Sequence, residues 1–280
     1  MTQPSREPSQ QSQQTLQPGT GRPVALVTGA STGIGRALAQ QFADHGFDLV
    51  IAAEDDAIQD AAEALRGSGA SVRAEQVDLA TAEGVTALHA AARETGTVAA
   101  AALNAGIGVA GSFTETDLER DLRLVDLNCR STVHLAKLVA RDMVRAGSGR
   151  LLFTSSIAAK APGPYQATYA ASKAFVHFLA EAIRVELADT GVTVTSLMPG
   201  PTETDFFERA DMLDTKLGAK DDKDDPEDVA RDGFEALMAG KDHVVAGSRA
   251  NALQSAAASA MPDSWAASVT SRMTEPGSAG

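Results

Sequence analysis

A single cysteine, Cys129, among 280 residues excludes a disulfide framework or a thiolate metal cluster within the chain. That usage fits a reducing compartment, and a cytoplasmic location is expected. Aromatic residues make up only 4%, with one Trp and two Tyr, so the core has to be built from Ala, Val and Leu. Basic residues are outnumbered, 24 against 37 acidic, giving a net charge of −13. Binding to a phosphate backbone needs basic patches, so no nucleic-acid partner is expected, and an anionic membrane surface is disfavoured for the same reason. No run of 18 or more apolar residues occurs, so no membrane span is expected. The five histidines, at 45, 89, 134, 177 and 243, lack paired ligand spacing, and "DDKDDPED" (221–228) lacks the Gly and terminal Glu of a calcium loop. No metal is expected. The first 22 residues are rich in Gln, Ser and Pro and hold no apolar stretch, so they read as a disordered tail rather than a secretory signal.

What is present is alternation. Apolar runs at 24–28, 48–53, 71–79, 98–106, 149–156, 192–200 and 242–247 read as strands. Between them lie stretches with helical spacing: 33–46, 56–69, 81–96 with Thr81 as its cap, one long helix over 116–147, another over 167–191, and one starting near Pro226. Strands alternating with helices of this length imply parallel pairing with right-handed crossovers. The fold class is therefore α/β, a Rossmann-type doubly wound, mostly parallel seven-stranded sheet with helices on both faces. Residues 23–247 read as one dinucleotide-binding and catalytic domain, between the tail at 1–22 and an Ala-rich segment at 248–280 with helical potential.

Two places carry chemistry. "TGASTGIG" (28–35) joins the first strand to its helix and sets Gly29, Gly33 and Gly35 as G-x-x-x-G-x-G. Glycines there allow a sharp turn and a close backbone approach, and the helix N-terminus offers N–H groups to a pyrophosphate. "YAASK" sets Tyr169 and Lys173 at i and i+4, on one helix face. An ammonium beside a phenol lowers its pKa, so this Tyr is expected to give or take a proton near neutral pH. Ser156 ends the preceding strand, where a hydroxyl could hold a carbonyl oxygen beside the Tyr.

With "DL" (78–79), "NAG" (104–106), "LN" (127–128), "SS" (155–156) and "PGPTET" (199–204) in order along 24–247, the chain resembles the short-chain dehydrogenase/reductase family, in its single-domain branch. The resemblance implies site residues one by one. Gly29, Gly33 and Gly35 would line the pyrophosphate, with Ser31 and Ile34 nearby. Asp78 would hydrogen-bond the adenine amino group, with Leu79 beside the ring. Asn104 and Gly106 would line the adenosine ribose side. Tyr169 would be the general acid or base, Ser156 would orient the substrate oxygen, and Lys173 would hold the nicotinamide ribose. Asn128 would hold a water that links Lys173 to solvent. Pro199, Gly200 and Thr202 would cradle the carboxamide.

The second strand ends in "AAEDD" (52–56), and Glu54 stands 19 residues beyond Gly35. An acid at about that distance accepts hydrogen bonds from the ribose hydroxyls of NAD. NADP carries a 2′-phosphate there, which Glu54 and Asp55 would repel, so NAD is favoured and NADP less so. Asp55 and Asp56 otherwise read as solvated, one of them capping the next helix. By the same resemblance, the stretch 202–218 would cover the substrate site as a mobile lid, with Phe206, Phe207, Met212 and Leu213 giving it an apolar side. Tyr165 would either line the pocket or pack its loop. The expected function is an NAD(P)-dependent oxidoreductase interconverting an alcohol and a ketone or aldehyde, acting as a homodimer or homotetramer. The alternative, a catalytically silent dinucleotide sensor or scaffold, would be expected to lose Tyr169 or Lys173, and both are present.

Overall fold

The apolar runs form a single sheet. The computed structural model describes residues 21–279. The expected N-terminal tail, 1–22, lies outside them except for its last two residues. The strands are β1 (Val24–Thr28), β2 (Asp48–Ala53), β3 (Val72–Gln76), β4 (Val98–Leu103), β5 (Gly149–Thr154), β6 (Val192–Pro199) and β7 (His243–Ala246). All pair in parallel, in the order β3-β2-β1-β4-β5-β6-β7. The helices are α1 (Gly33–Asp44), α2 (Ala57–Arg66), α3 (Ala82–Thr95), α4 (Leu118–Val125), α5 (Thr132–Ala146), α6 (Ala167–Glu186), α7 (Phe206–Arg209), α8 (Pro226–Met238), α9 (Arg249–Ala260) and α10 (Asp263–Thr274).

Strand β1 shows why the sheet is covered on both sides. Every one of its five residues is buried, and successive side chains point to opposite faces. Ala25 and Val27 join Leu38 and Phe42 of α1, Ile58 of α2 and Phe234 of α8. Val24 and Leu26 join Leu88 of α3, Leu135 of α5 and Val176 of α6. The scarcity of aromatics is met by alanines, as Ala100, Ala101 and Ala102 in β4 are all fully buried. The chain winds outward from β1 to β3, then crosses back to place β4 on the other side of β1. That reversal opens a crevice beyond the carboxyl ends of β1 and β4.

Local signals start the helices where the sequence puts them. Thr81 Oγ1 accepts the Gly84 N–H at 3.0 Å, and Asp225 Oδ1 accepts that of Glu227 at 2.8 Å, with Pro226 in the first turn. The helix expected over 116–147 differs in two respects. It begins at Leu118, after Asp117 has accepted the N–H groups of Glu119 and Arg120, and between α4 and α5 it widens into a π-helical segment, Asp126–Ser131. The hydroxyls of Ser131 and Thr132 donate back to the carbonyls of Leu127 and Asn128, at 2.6 and 2.7 Å. Segments of this kind often occur at functional sites, and this one carries Asn128.

Thr28, the last residue of β1, locks the two strands at the crevice. Its hydroxyl oxygen accepts the N–H groups of Asn104 (2.9 Å) and Ala105 (3.0 Å), just past β4. Thr28→Val keeps the shape and strands both donors. It is expected to cost about 2–3 kcal/mol of stability in urea unfolding. A loss below about 0.5 kcal/mol would show that the hydroxyl is not what holds these strands.

Candidate active site

A cavity of about 570 Å³ opens at the carboxyl ends of the strands, running from the glycine turn to Tyr169. At one end Gly29 and Gly33 take φ of +66° and +55°, which side-chain-bearing residues avoid. A Cβ on Gly35 would fall 2.0 Å from the Gly29 carbonyl oxygen, so helix α1 can pack this close only through glycine. Ile34 packs against the core beneath the turn. Asn104 donates from Nδ2 to the carbonyls of Thr28 (3.1 Å) and Gly29 (3.4 Å), so it braces the turn as well as lining the cavity. Thr32, the residue before α1, makes no side-chain cap, so the first turn presents its N–H groups.

Beside the turn stand Glu54, Asp55, Asp78 and the buried Leu79. Arg123 of α4 bridges two of the acids, with Nη2 on Glu54 at 2.5 Å and Nη1 on Asp78 at 3.1 Å. Partial burial works to raise the Asp78 pKa, but the guanidinium and the Ala80 N–H outweigh it and hold the carboxyl below its ordinary value. Arg123 is raised in turn, chiefly by its bond to Asp78. The expected capping role is corrected here. Asp56 makes no side-chain cap on α2, and Asp55 instead accepts the Ser31 hydroxyl at 3.1 Å. The Asp55 carboxylate is thus bound to the glycine turn and not to the start of α2.

At the other end Ser156, Tyr169 and Lys173 converge. Ser156 follows β5, accepts the Ala158 N–H (3.1 Å) and donates to Pro199 O (3.4 Å). Tyr169 lies in the first turn of α6, with its ring 5.1 Å from that of Phe206. Lys173 is one turn further on. Its Nζ donates to Thr154 O at 3.0 Å and lies 5.8 Å from the Tyr169 ring centre. Burial dominates both groups. It pushes the phenol up to about 12, with the Ser156 hydroxyl pulling the other way, and pushes the ammonium down to about 8. The expected lowering of the Tyr by the ammonium is corrected here: burial of the phenol dominates, and the opposing pull comes from the Ser156 hydroxyl rather than from Lys173.

Asn128 spends its amide on positioning. Oδ1 accepts the Ile107 N–H and Nδ2 donates to Ile107 O, both at 3.0 Å, and Nδ2 also reaches the Ser172 hydroxyl at 3.0 Å. A Cβ on Gly106 would lie 3.1 Å from Asn128 Oδ1 and 3.3 Å from Lys173 Nζ, so a side chain here would press on both of them. Pro199 ends β6. Thr202 is buried and donates to the Gly200 carbonyl at 3.0 Å, and Asn251 of α9 packs on Gly200 where a Cβ would be.

The substrate end is closed by two segments. From the expected lid, Phe206, Phe207 and Met212 line the cavity, whereas Leu213 is 56% exposed and faces solvent. From the C-terminal segment, Val269 and Met273 of α10 line it, stitched to the lid by a hydrogen bond from Leu217 N to Met273 O at 2.9 Å. Tyr165 packs its loop: its carbonyl accepts the Gly111 N–H at 2.7 Å, and its hydroxyl donates to Glu275 at 3.4 Å. Thr28, Arg123 and α10 were not singled out by the sequence. A Thr directly before a glycine turn is the one signal that could have been read.

The donors and acceptors fit a dinucleotide. The glycine cradle meets a helix N-terminus, and Asp55 Oδ1, buried at the cavity, accepts no hydrogen bond from any described residue. The family described as short chain dehydrogenase matches residues 23–212. An uncharacterized oxidoreductase of Staphylococcus saprophyticus is 33% identical over 218 residues, 77% of this chain and 91% of that protein. A short-chain dehydrogenase from Sphingobium yanoikuyae, solved with NADPH, superposes with a TM-score of 0.75 at 30% identity, over 80% of this chain and 87% of that one. A short-chain dehydrogenase/reductase from Burkholderia phymatum, solved with NAD, gives 0.73 at 25% identity over 80% and 88%. With strand order, glycine turn and sequence in agreement, the chain belongs to the short-chain dehydrogenase family and is an oxidoreductase acting on CH–OH and C=O groups.

Proposed function

We propose that this chain interconverts a secondary alcohol and a ketone, or an alcohol and an aldehyde, with NAD as the favoured cofactor and Tyr169 as the general acid or base. The observation that carries this reading is the convergence of Ser156, Tyr169 and Lys173 in the cavity whose other end is the glycine turn. The nicotinamide, when bound, supplies or accepts the hydride. Ser156 orients the substrate oxygen toward the phenol. Tyr169 holds the proton at that oxygen, and its pKa of about 12 keeps it protonated at neutral pH, ready to donate during reduction. Lys173, pinned by Thr154, would hold the cofactor ribose, while Asn128 fixes Ile107 and α6 around the lysine. Pro199, Gly200 and Thr202 would hold the carboxamide.

Acids crowd the adenosine end, where a carboxylate ~4 Å from a phosphate charge is repelled by about 4 kcal/mol at an effective dielectric near 20, less where solvent screens it. This favours NAD over NADP. Phe206, Met212, Leu217, Val269 and Met273 make the substrate end apolar, which suits an uncharged, apolar carbonyl compound. We take 23–247 as the catalytic domain and α9–α10 as its helical extension. Exposed Leu118 and Leu122 on α4 and Phe178 and Val185 on α6 suit pairing of two copies into a dimer or tetramer.

Fluorescence titration with NADH and NADPH tests the cofactor reading. Tighter NADH binding is expected, and tighter NADPH binding would contradict it. Tight NADH binding with no turnover of any carbonyl compound would favour the sensor reading instead.

A further inference from the structure

Within the acidic run 221–228, Asp224 is a junction. Its backbone pairs with the turn after β6: the N–H donates to the Pro201 carbonyl at 2.8 Å, and the carbonyl accepts the Glu203 N–H at 2.9 Å. Thr202 and Asp224 thereby form an isolated parallel bridge. Its side chain binds the start of the C-terminal segment. Oδ1 accepts the Ser248 N–H at 2.9 Å, and Oδ2 accepts Asn251 Nδ2 at 2.5 Å.

Asn251 is buried in the first turn of α9, and its Nδ2 also donates to the Ala246 carbonyl at 3.1 Å, at the end of β7. Two glycines make room for this pair. A Cβ on Gly200 would lie 2.3 Å from Asn251 Nδ2, and one on Gly247, whose φ is +85°, would lie 2.4 Å from the Asp224 carboxyl carbon. Asn251 therefore reaches the turn 199–203 twice, by packing on Gly200 and through Asp224. Both polar residues lie beyond the residues 23–212 that the family matches.

An amide bound to a carboxylate makes a stronger bond than a neutral pair, and truncating one partner strands the other. A turn already held in its binding shape avoids the cost of ordering it when a ligand arrives. We infer that Asn251 is a positioning residue for the nicotinamide end of the site: it fixes the turn 199–203 through Asp224, which makes α9 part of the cofactor-binding machinery. This rests on the reading of Pro199, Gly200 and Thr202 as the carboxamide turn.

ADP-ribose carries the adenosine, the pyrophosphate and a ribose but no nicotinamide, so comparing it with NADH isolates this end. Calorimetric titration of the purified full chain is expected to show NADH bound more tightly. Asn251→Ala should weaken NADH binding roughly 10-fold and leave ADP-ribose within about threefold. Asn251→Asp sets two carboxylates against each other and should weaken NADH binding at least as much. Adding Asp224→Asn to it restores a donor facing an acceptor, with the polarity reversed, and should recover part of the NADH affinity, whereas packing alone predicts no recovery. Thermal melts check that each variant is folded. Asp224→Asn alone keeps the backbone bridge, serves where Asn251→Ala does not fold, and should weaken NADH binding in the same direction. Unchanged NADH affinity in Asn251→Ala, an equal loss for both ligands, or no recovery in the double variant overturns this inference and leaves the dinucleotide reading intact. A wild type that binds NADH no more tightly than ADP-ribose overturns the carboxamide reading on which it rests, and one that binds neither overturns the dinucleotide site itself.

Discussion

Tyr169→Phe is expected to bind NADH as tightly as the wild type and to reduce carbonyl compounds about 10²–10⁴-fold more slowly. The substitution removes one oxygen and leaves the ring, which packs with Val109 and Leu124 and meets Phe206. Stability and cofactor affinity should therefore change little, and the loss of about 3–5 kcal/mol should fall on the transition state. The pH dependence follows from burial. The phenol at about 12 keeps its proton through neutral pH, so carbonyl reduction should not be limited by Tyr169 protonation there. Alcohol oxidation needs the deprotonated form, whose fraction grows as pH rises toward that value, so its kcat/KM should climb with pH. Steady-state rates in both directions, with stability measured alongside, check both statements. A Tyr169→Phe enzyme within about threefold of wild type would place the proton elsewhere.

Lys173→Met is expected to abolish turnover and, below pH 8, to make the protein more stable. The ammonium is buried, and burial lowers it to about 8 from an ordinary 10.5. Between those values the unfolded chain binds more protons than the folded one, so wild-type stability rises with pH across that window. Below pH 8 the full cost of the buried charge is present, about 3 kcal/mol. The bond to Thr154 O returns about 1 kcal/mol. The variant should gain about 2 kcal/mol at pH 7, a gain that shrinks as pH approaches 10.5. Denaturant unfolding at pH 7 and pH 10 reads this directly. A variant less stable than wild type at pH 7 would mean that the site compensates the ammonium more than burial penalises it. The cost fits a residue kept for chemistry rather than for folding.

The frame was legible because its physics is local. A buried parallel strand has to be apolar on both faces, and "VALVT" or "DLVIAA" can be little else. Thr81 and Pro226 mark helix starts through backbone donors that need a partner or none at all. Tyr169 and Lys173 meet because one helical turn separates them. What was hidden depends on pairing across long sequence distances. The π-helical segment arises where Asn128 must reach Ile107, 21 residues away, and six residues of wider winding leave no mark on the periodicity. Arg123 meets Glu54 and Asp78 only through the fold. The orientation of Glu54 against that of Asp55 is set by how β2 ends, which composition does not encode. The Ala- and Ser-rich stretch that became α9 and α10 lacks a strong apolar stripe, because much of its surface is exposed: Leu253 is 74% and Trp265 69% accessible.

In the proposed reaction Tyr169 supplies the proton to the carbonyl oxygen, and a bound nicotinamide would supply the hydride to its carbon. The most direct test incubates the protein with NADH carrying deuterium at the transferable position and a panel of apolar ketones and aldehydes, and weighs the alcohols formed. The expected result is deuterium on the carbinol carbon with the wild type and only traces with Tyr169→Phe. Bound NADH with no deuterated alcohol from any compound, or equal transfer by Tyr169→Phe, would contradict it.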